Sequence, residues 1–264
     1  MVKRLNNLYL YLILFFLYTP FVVLVAFSFN DSKLMKWGGF SLRWYREILR
    51  DDIISALWIT LSVAFLATII ATIFGTLTAI GIHYLSNRLR RQIITMNNIP
   101  IVNPEIVIAI SLMILFTTLG HVFGFKLGYG TMLLAHIIFD TPYVILSVLP
   151  KLKQLNPHTI EAALDLGATT GQAVKKIVIP QLTPGIITGA LISFTMSIDD
   201  FVISYFTTGS GIQNLSIWIF NQTKRGVTPA ANAISTIMLL LVILLLAIIF
   251  IRLSKDFKRK EMVL

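Results

Sequence analysis

The chain has 264 residues, of which 56% are hydrophobic and only 13% charged, about half the charged share of a soluble domain. This composition excludes a disordered chain, a coiled coil and most soluble enzymes. The absence of cysteine excludes a disulfide scaffold, a thiolate metal site and a cysteine nucleophile. The net charge of +10 points to nucleic acid in a soluble protein, but in a membrane protein it points to Lys and Arg kept on the cytoplasmic side.

A helix crosses the ~30 Å hydrocarbon core with about 20 mostly apolar residues. The first such stretch, residues 8–29, exceeds a signal-peptide core and has no small-residue cleavage site, so it reads as an uncleaved first helix. Residues 41–52 (SLRWYREILRDD) mix charge with aromatics and read as an amphipathic helix at the outer interface, with Trp37, Trp44 and Tyr45 as belt residues. Further spans are expected at 56–85, 99–119 and 131–149. A long inner segment, 150–181, follows, then spans at 182–206 and 232–251. Between the last two, Leu215–Phe220 is apolar enough to dip back toward the membrane. The expected fold is an all-α integral membrane protein with six transmembrane helices, a single domain over 1–264. With both termini in the cytoplasm, fourteen of the 22 basic residues fall on the inner side and none inside a span. The charge is therefore a topology signal, and no nucleic-acid partner is expected.

Four of the twelve acidic residues sit at membrane depth: Glu105, Asp140, Asp199 and Asp200. Each costs about 2.5–3.5 kcal/mol on insertion scales unless something positive or polar meets it. Gly185, Gly189, Ser193 and Ser197 recur every fourth residue, a small-residue face for close helix contact. Asp200 falls about 20° from Gly189 on that face, directed at the bundle interior. Ala67, Ala71, Gly75 and Ala79 form a similar stripe. Asp140 precedes Thr141-Pro142 and serves either a cargo or the backbone freed at a proline kink. Glu105 follows Pro104 and serves either a cargo or a helix start. His136 reads as a hydrogen bonder between helices. Counted along the spans, the acids run from Asp199 and Asp200 near the outside, through Asp140, to Glu105 near the inside. They form an acidic ladder suited to a cationic solute, with Ser197 beside it and Trp44 at the mouth for a cation–π contact. No zincin, phosphate-loop or serine-hydrolase motif is present, so no catalytic residue, metal or cofactor is expected on this chain.

The inner segment reads Glu161-Ala162-Ala163-Leu164-Asp165-Leu166-Gly167, nine residues, then Ile177-Val178-Ile179-Pro180. Physically this is a helix opened by Asn156-Pro157, a turn at Gly167, and a second arm stopped by Pro180. It resembles the EAA motif of binding-protein-dependent ABC importer permeases, with Ile179 in place of the usual Leu. The resemblance implies a type I (MetI-like) permease fold. It also implies that Glu161, Ala162, Ala163 and Gly167 lie in a helix–turn–helix docking on an ATPase subunit. Ser197-Ile198-Asp199-Asp200 resembles the corresponding stretch of spermidine/putrescine permeases. So do Phe40-Ser41-Leu42-Arg43-Trp44-Tyr45, Asn103-Pro104-Glu105 and Val227-Thr228-Pro229. That family implies a second homologous permease, two ATP-binding subunits that hold ATP and Mg, an extracytoplasmic binding protein and a polyamine cargo, all at the inner membrane. The alternatives are an ABC permease for another small solute, or a cation-coupled carrier. A carrier would not need the inner motif.

Overall fold

The computed structural model describes residues 2–32, 36–224, 226 and 228–261, with side chains left undescribed at 2–8, 157, 249 and 252–261. Val227, part of one motif above, lies outside the described residues. In chain order the helices are α1 (Val2–Ser28), α2 (Arg43–Glu47), α3 (Asp51–His83), α4 (Asn87–Val102), α5 (Glu105–Phe123), α6 (Tyr129–Leu152), α7 (Pro157–Asp165) and α8 (Thr170–Ala173). A single π-turn, Val174–Val178, then leads into α9 (Ile179–Asp199), followed by α10 (Val202–Thr207), α11 (Leu215–Thr223) and α12 (Pro229–Glu261). Six of the described helices are long and apolar enough to cross a membrane: α1, α3, α5, α6, the continuous run Thr170–Asp199, and α12.

Three expectations are corrected. The third span begins at Glu105, not at 99. Asn103 is extended (φ −75°, ψ 147°) ahead of Pro104, because a proline ring disfavours helical geometry at the residue before it. Residues 87–102 form the separate, polar helix α4. The fifth span does not run through to 206. Asp200 is extended (φ −64°, ψ 126°), and the chain restarts as α10. Pro180 does not stop the second arm of the inner segment. The helix passes through it, because the π-turn ahead bonds Ile179 N–H back to Val174 O and so widens the backbone where a proline ring would meet the carbonyl four residues earlier.

The described residues group into two compact units: Met1–Leu57 with Leu215–Leu244, and Trp58–Asn214 with Leu245–Leu264. In the first, Asn30 is fully buried and organises the loop after α1. Its Oδ1 accepts from Gly38 N–H (2.7 Å), its Nδ2 donates to Lys36 O (3.1 Å), and its carbonyl accepts from the Trp44 indole N–H (2.7 Å). Phe29 stacks on Phe40 and Tyr45 at 5.3 and 5.2 Å between ring centroids. The apolar 215–220 stretch forms α11, whose Trp218 indole N–H donates to Asp52 Oδ2 (3.1 Å).

In the second unit α6 is the central element. The small-residue face of α9 packs on it. A Cβ added at Gly189 would lie 3.1 Å from Val144 Cα, and one at Gly185 would lie 2.9 Å from Ser147 O. The α3 stripe packs on the same helix: a Cβ at Gly75 would lie 2.7 Å from Val144 Cβ. Ala67, Ala71 and Ala79 are fully buried. These contacts put backbone against backbone, the arrangement that holds helices together where lipid supplies no hydrophobic drive. A second apolar cluster joins α5 (Ala109, Leu112, Phe116), α6 (Ala135, Phe139) and α10 (Ile203). Arg90 of α4 closes the end of α3 by donating to the carbonyls of Ile82, His83 and Leu85, a cation on the negative end of the helix dipole.

Candidate functional site: a carboxylate cluster at a helix break

The break after Asp199 leaves the first N–H groups of α10 without helical partners. Asp200 satisfies them: Oδ1 accepts from Ile203 N–H (3.1 Å) and Oδ2 from Ser204 N–H (2.7 Å). Asn214 Nδ2 adds bonds to Asp200 O (3.2 Å) and Ser204 Oγ (2.8 Å). His136 of α6 fixes both sides of the break. Its Nδ1 lies 2.7 Å from Ser197 Oγ on α9, and its Nε2 lies 2.9 Å from Ser204 Oγ on α10 and 3.4 Å from Asp200 Oδ2. His136, Ser197, Asp200, Ser204 and Asn214 are all buried. Each polar atom therefore needs its partner, since an unmet one at such depth costs about 1–3 kcal/mol.

The four membrane carboxylates influence one another electrostatically across helices. Glu105, half-buried at the start of α5, is near enough to Asp200 and Asp199 to feel the charges of both. Asp140 feels Asp200 as well, and Tyr143 feels Glu105 and Asp140. The third span starts at Glu105 itself, and α5 packs against α10. Asp199 is exposed while Asp200 is buried. Asp200, through its two backbone hydrogen bonds, fixes the break beside which Asp199 and Glu105 lie.

Asp140 bonds no backbone group freed by Pro142. Its Oδ2 accepts from Ser193 Oγ on α9 (2.9 Å), and its Oδ1 is buried without a hydrogen-bond partner. Trp44 is not an exposed belt residue. It is 3% exposed, its N–H is committed to Asn30 O, and its ring carries the Arg43 guanidinium at 5.3 Å. Among the described residues no group of three or more His, Cys, Asp or Glu could hold a metal ion.

Residues 71–259 match the family model for binding-protein-dependent transport system inner membrane components. The chain belongs to this family. The transport component is 38% identical, over 90% of its own length and 91% of the relative's, to the spermidine/putrescine transport system permease protein PotC of Haemophilus influenzae. It is 39% identical to the putrescine transport system permease protein PotI of Escherichia coli, over 85% and 82% of the two chains. Among solved structures, a bacterial ABC transporter for import of the acidic polysaccharide alginate matches at TM-score 0.70 and 18% identity, covering 97% of both chains. A methionine ABC transporter matches at TM-score 0.57 and 18% identity, over 82% of this chain and all of that one. The fold is that of ABC importer permeases. ATP hydrolysis in such systems belongs to a separate subunit, and this membrane component is not an enzyme.

In the transport component the inner segment forms two short arms. Asn156 Oδ1 caps α7 by accepting from His158 N–H (3.1 Å). Gly167, at φ +84°, closes it. Gly167 N–H bonds Leu164 O, and Ala168 N–H bonds Ala163 O, the paired bonds of a Schellman end. Thr169 and Gln172 form a reciprocal capping box on α8. Glu161 is exposed and bonds His158 Nδ1 at 3.0 Å. Leu166, at the tip, is 89% exposed. Sequence reasoning passed over Leu166, although a leucine beside a turn glycine in a charged loop was signal enough. It also passed over Ser204 and Asn214, for which no pattern existed until the break was known.

Proposed function

We propose that this chain is a translocation-path subunit of an ATP-driven polyamine importer, with both termini cytoplasmic and one integral domain over 1–264. It would work with a second homologous permease, two ATP-binding subunits that bind ATP and Mg, and an extracytoplasmic binding protein that delivers spermidine or putrescine. The observation that carries this reading is the gathering of Glu105, Asp199 and Asp200 at one break in a span. A polyamine supplies several ammonium groups along a flexible chain, which a cluster of carboxylates with differing exposure can meet and release. Asp199 and Glu105 would receive ammonium groups. Ser197, His136 and Asp200 would hold the break in shape. The relatives named for spermidine and putrescine transport support the cargo.

The segment Glu161-Ala162-Ala163 through Gly167 would dock on the ATPase, with Leu166 as its apolar tip. The test is uptake of labelled spermidine and putrescine in cells lacking other polyamine importers. Asp199→Asn and Glu105→Gln should each lower uptake at least tenfold while the protein remains in the membrane. Uptake unchanged in both would remove the polyamine reading. Loss of ATPase co-purification in a Gly167 variant, with membrane insertion intact, checks the docking arm separately.

A further inference from the structure

Asp140 is fully buried, and one of its carboxylate oxygens has no hydrogen-bond partner. Its other oxygen accepts from Ser193 Oγ at 2.9 Å, and Thr68 Oγ1 of α3 lies 3.5 Å from that same Ser193 oxygen. One helical turn along α3 from Thr68, Thr72 presents a second buried hydroxyl without a partner. Gly75, three residues further, seats α3 on α6: a Cβ there would lie 3.2 Å from Thr141 O. The Ser193 hydroxyl thus links Asp140 of α6 to Thr68 of α3, and Thr72 lies one turn further along α3, with one Asp140 oxygen and the Thr72 hydroxyl lacking a partner.

The described structure supplies no cation to this carboxylate. His136, one turn away on α6, commits one ring nitrogen to Ser197 and the other to Ser204 and Asp200. Lys151 lies eleven residues along the same helix, about 16 Å at 1.5 Å per residue, with its side chain against Gly185. An uncompensated buried charge is among the costliest features a protein can hold. Carboxylate and hydroxyl oxygens are hard ligands, and a single carboxylate balances a single positive charge.

We propose that Asp140, Ser193 and Thr68, with the unpartnered Thr72 hydroxyl one turn along α3, form a buried site for a small monovalent inorganic cation, sodium or potassium, set between α3, α6 and α9. Asp140 is fully buried, whereas Asp199 is exposed and Glu105 half-buried, and the cation is a resident of the helix interface rather than the cargo. The inference does not depend on which solute is carried.

The test is thermal unfolding of the full chain, purified with the subunits that accompany it, in sodium, potassium and choline chloride at equal ionic strength. Sodium or potassium should raise the wild-type midpoint over choline by roughly 3 °C or more, saturating with concentration, as expected for a ligand that binds only the folded state. Asp140→Asn should lose that increment while unfolding in choline at or above the wild-type midpoint. Ser193→Ala, which keeps the charge, should shift saturation to higher concentration and keeps the test open if Asp140→Asn does not assemble. Equal wild-type midpoints in all three salts would overturn the site, meaning that a proton and water satisfy the carboxyl. So would an increment that persists unchanged in Asp140→Asn or Ser193→Ala.

Discussion

The two ends of α9 treat interruption in opposite ways. At its start stand two prolines, Pro180 and Pro184, and the helix nevertheless runs unbroken from Thr170 to Asp199. At its end there is no proline, yet the helix stops. The difference lies in where the displaced backbone groups go. At Pro180 a single π-turn relocates them within the helix. At Asp200 a carboxylate and Asn214 take them over from outside, and His136 holds the seam. A breaker residue is therefore judged by what satisfies the groups it frees.

The sharpest way to break this comparison is at Asp200. Asp200→Leu removes both caps and leaves His136 facing an apolar side chain. It should cost about 3–5 kcal/mol and abolish uptake, read as loss of folded protein in a detergent thermal scan. Asp200→Asn keeps one acceptor and should cost less than half of that. If the two variants were equally stable, the cap would not be what holds the break. Next is His136→Leu, which strands Ser197 and Ser204 and should cost about 2–3 kcal/mol, with His136→Gln recovering part of it. Gly185→Val on the packed face should cost about 1–3 kcal/mol through overpacking against Ser147 O. It should also lower the thermal midpoint more than the same change at Gly171, where a Cβ meets open space. The smallest effect belongs to the prolines. Pro180→Ala should change stability by less than about 1 kcal/mol, since the π-turn already accommodates the ring. A large loss there would mean that the π-turn itself is required.

Several of these features were legible in the chain. The spacing of Gly185, Gly189, Ser193 and Ser197 located a face that is indeed buried, because small residues every fourth position leave few other packings open. Asn156 and Gly167 located the ends of α7, since caps act over three or four residues. The break at Asp200 was not legible, because it depends on partners 4 to 64 residues away in the chain, Ser204, Asn214 and His136. The stretch from 182 to 206 stays apolar on both sides of Asp199-Asp200, and the acidic pair alone does not say that the helix stops there. The convergence of Glu105 with Asp199 and Asp200 was missed for a related reason. Depth counted along one helix says nothing about which neighbour it leans on. Trp44 misled because a tryptophan beside arginines in an outer loop fits an interfacial anchor equally well, until Asn30 claims its indole N–H.

The unbroken run from Thr170 to Asp199 has a mechanical meaning. Thirty helical residues make a rod about 45 Å long, stiffened by its backbone contacts with α6. One tip carries the inner turn at Gly167–Thr169, and the other ends at the carboxylate pair. Tilting such a rod about one end by three degrees displaces the other by roughly 2 Å, comparable to the difference between a hydrogen bond and none. Were the rod to tilt as one piece, a shift of the turn would reach the carboxylates as a change in distance.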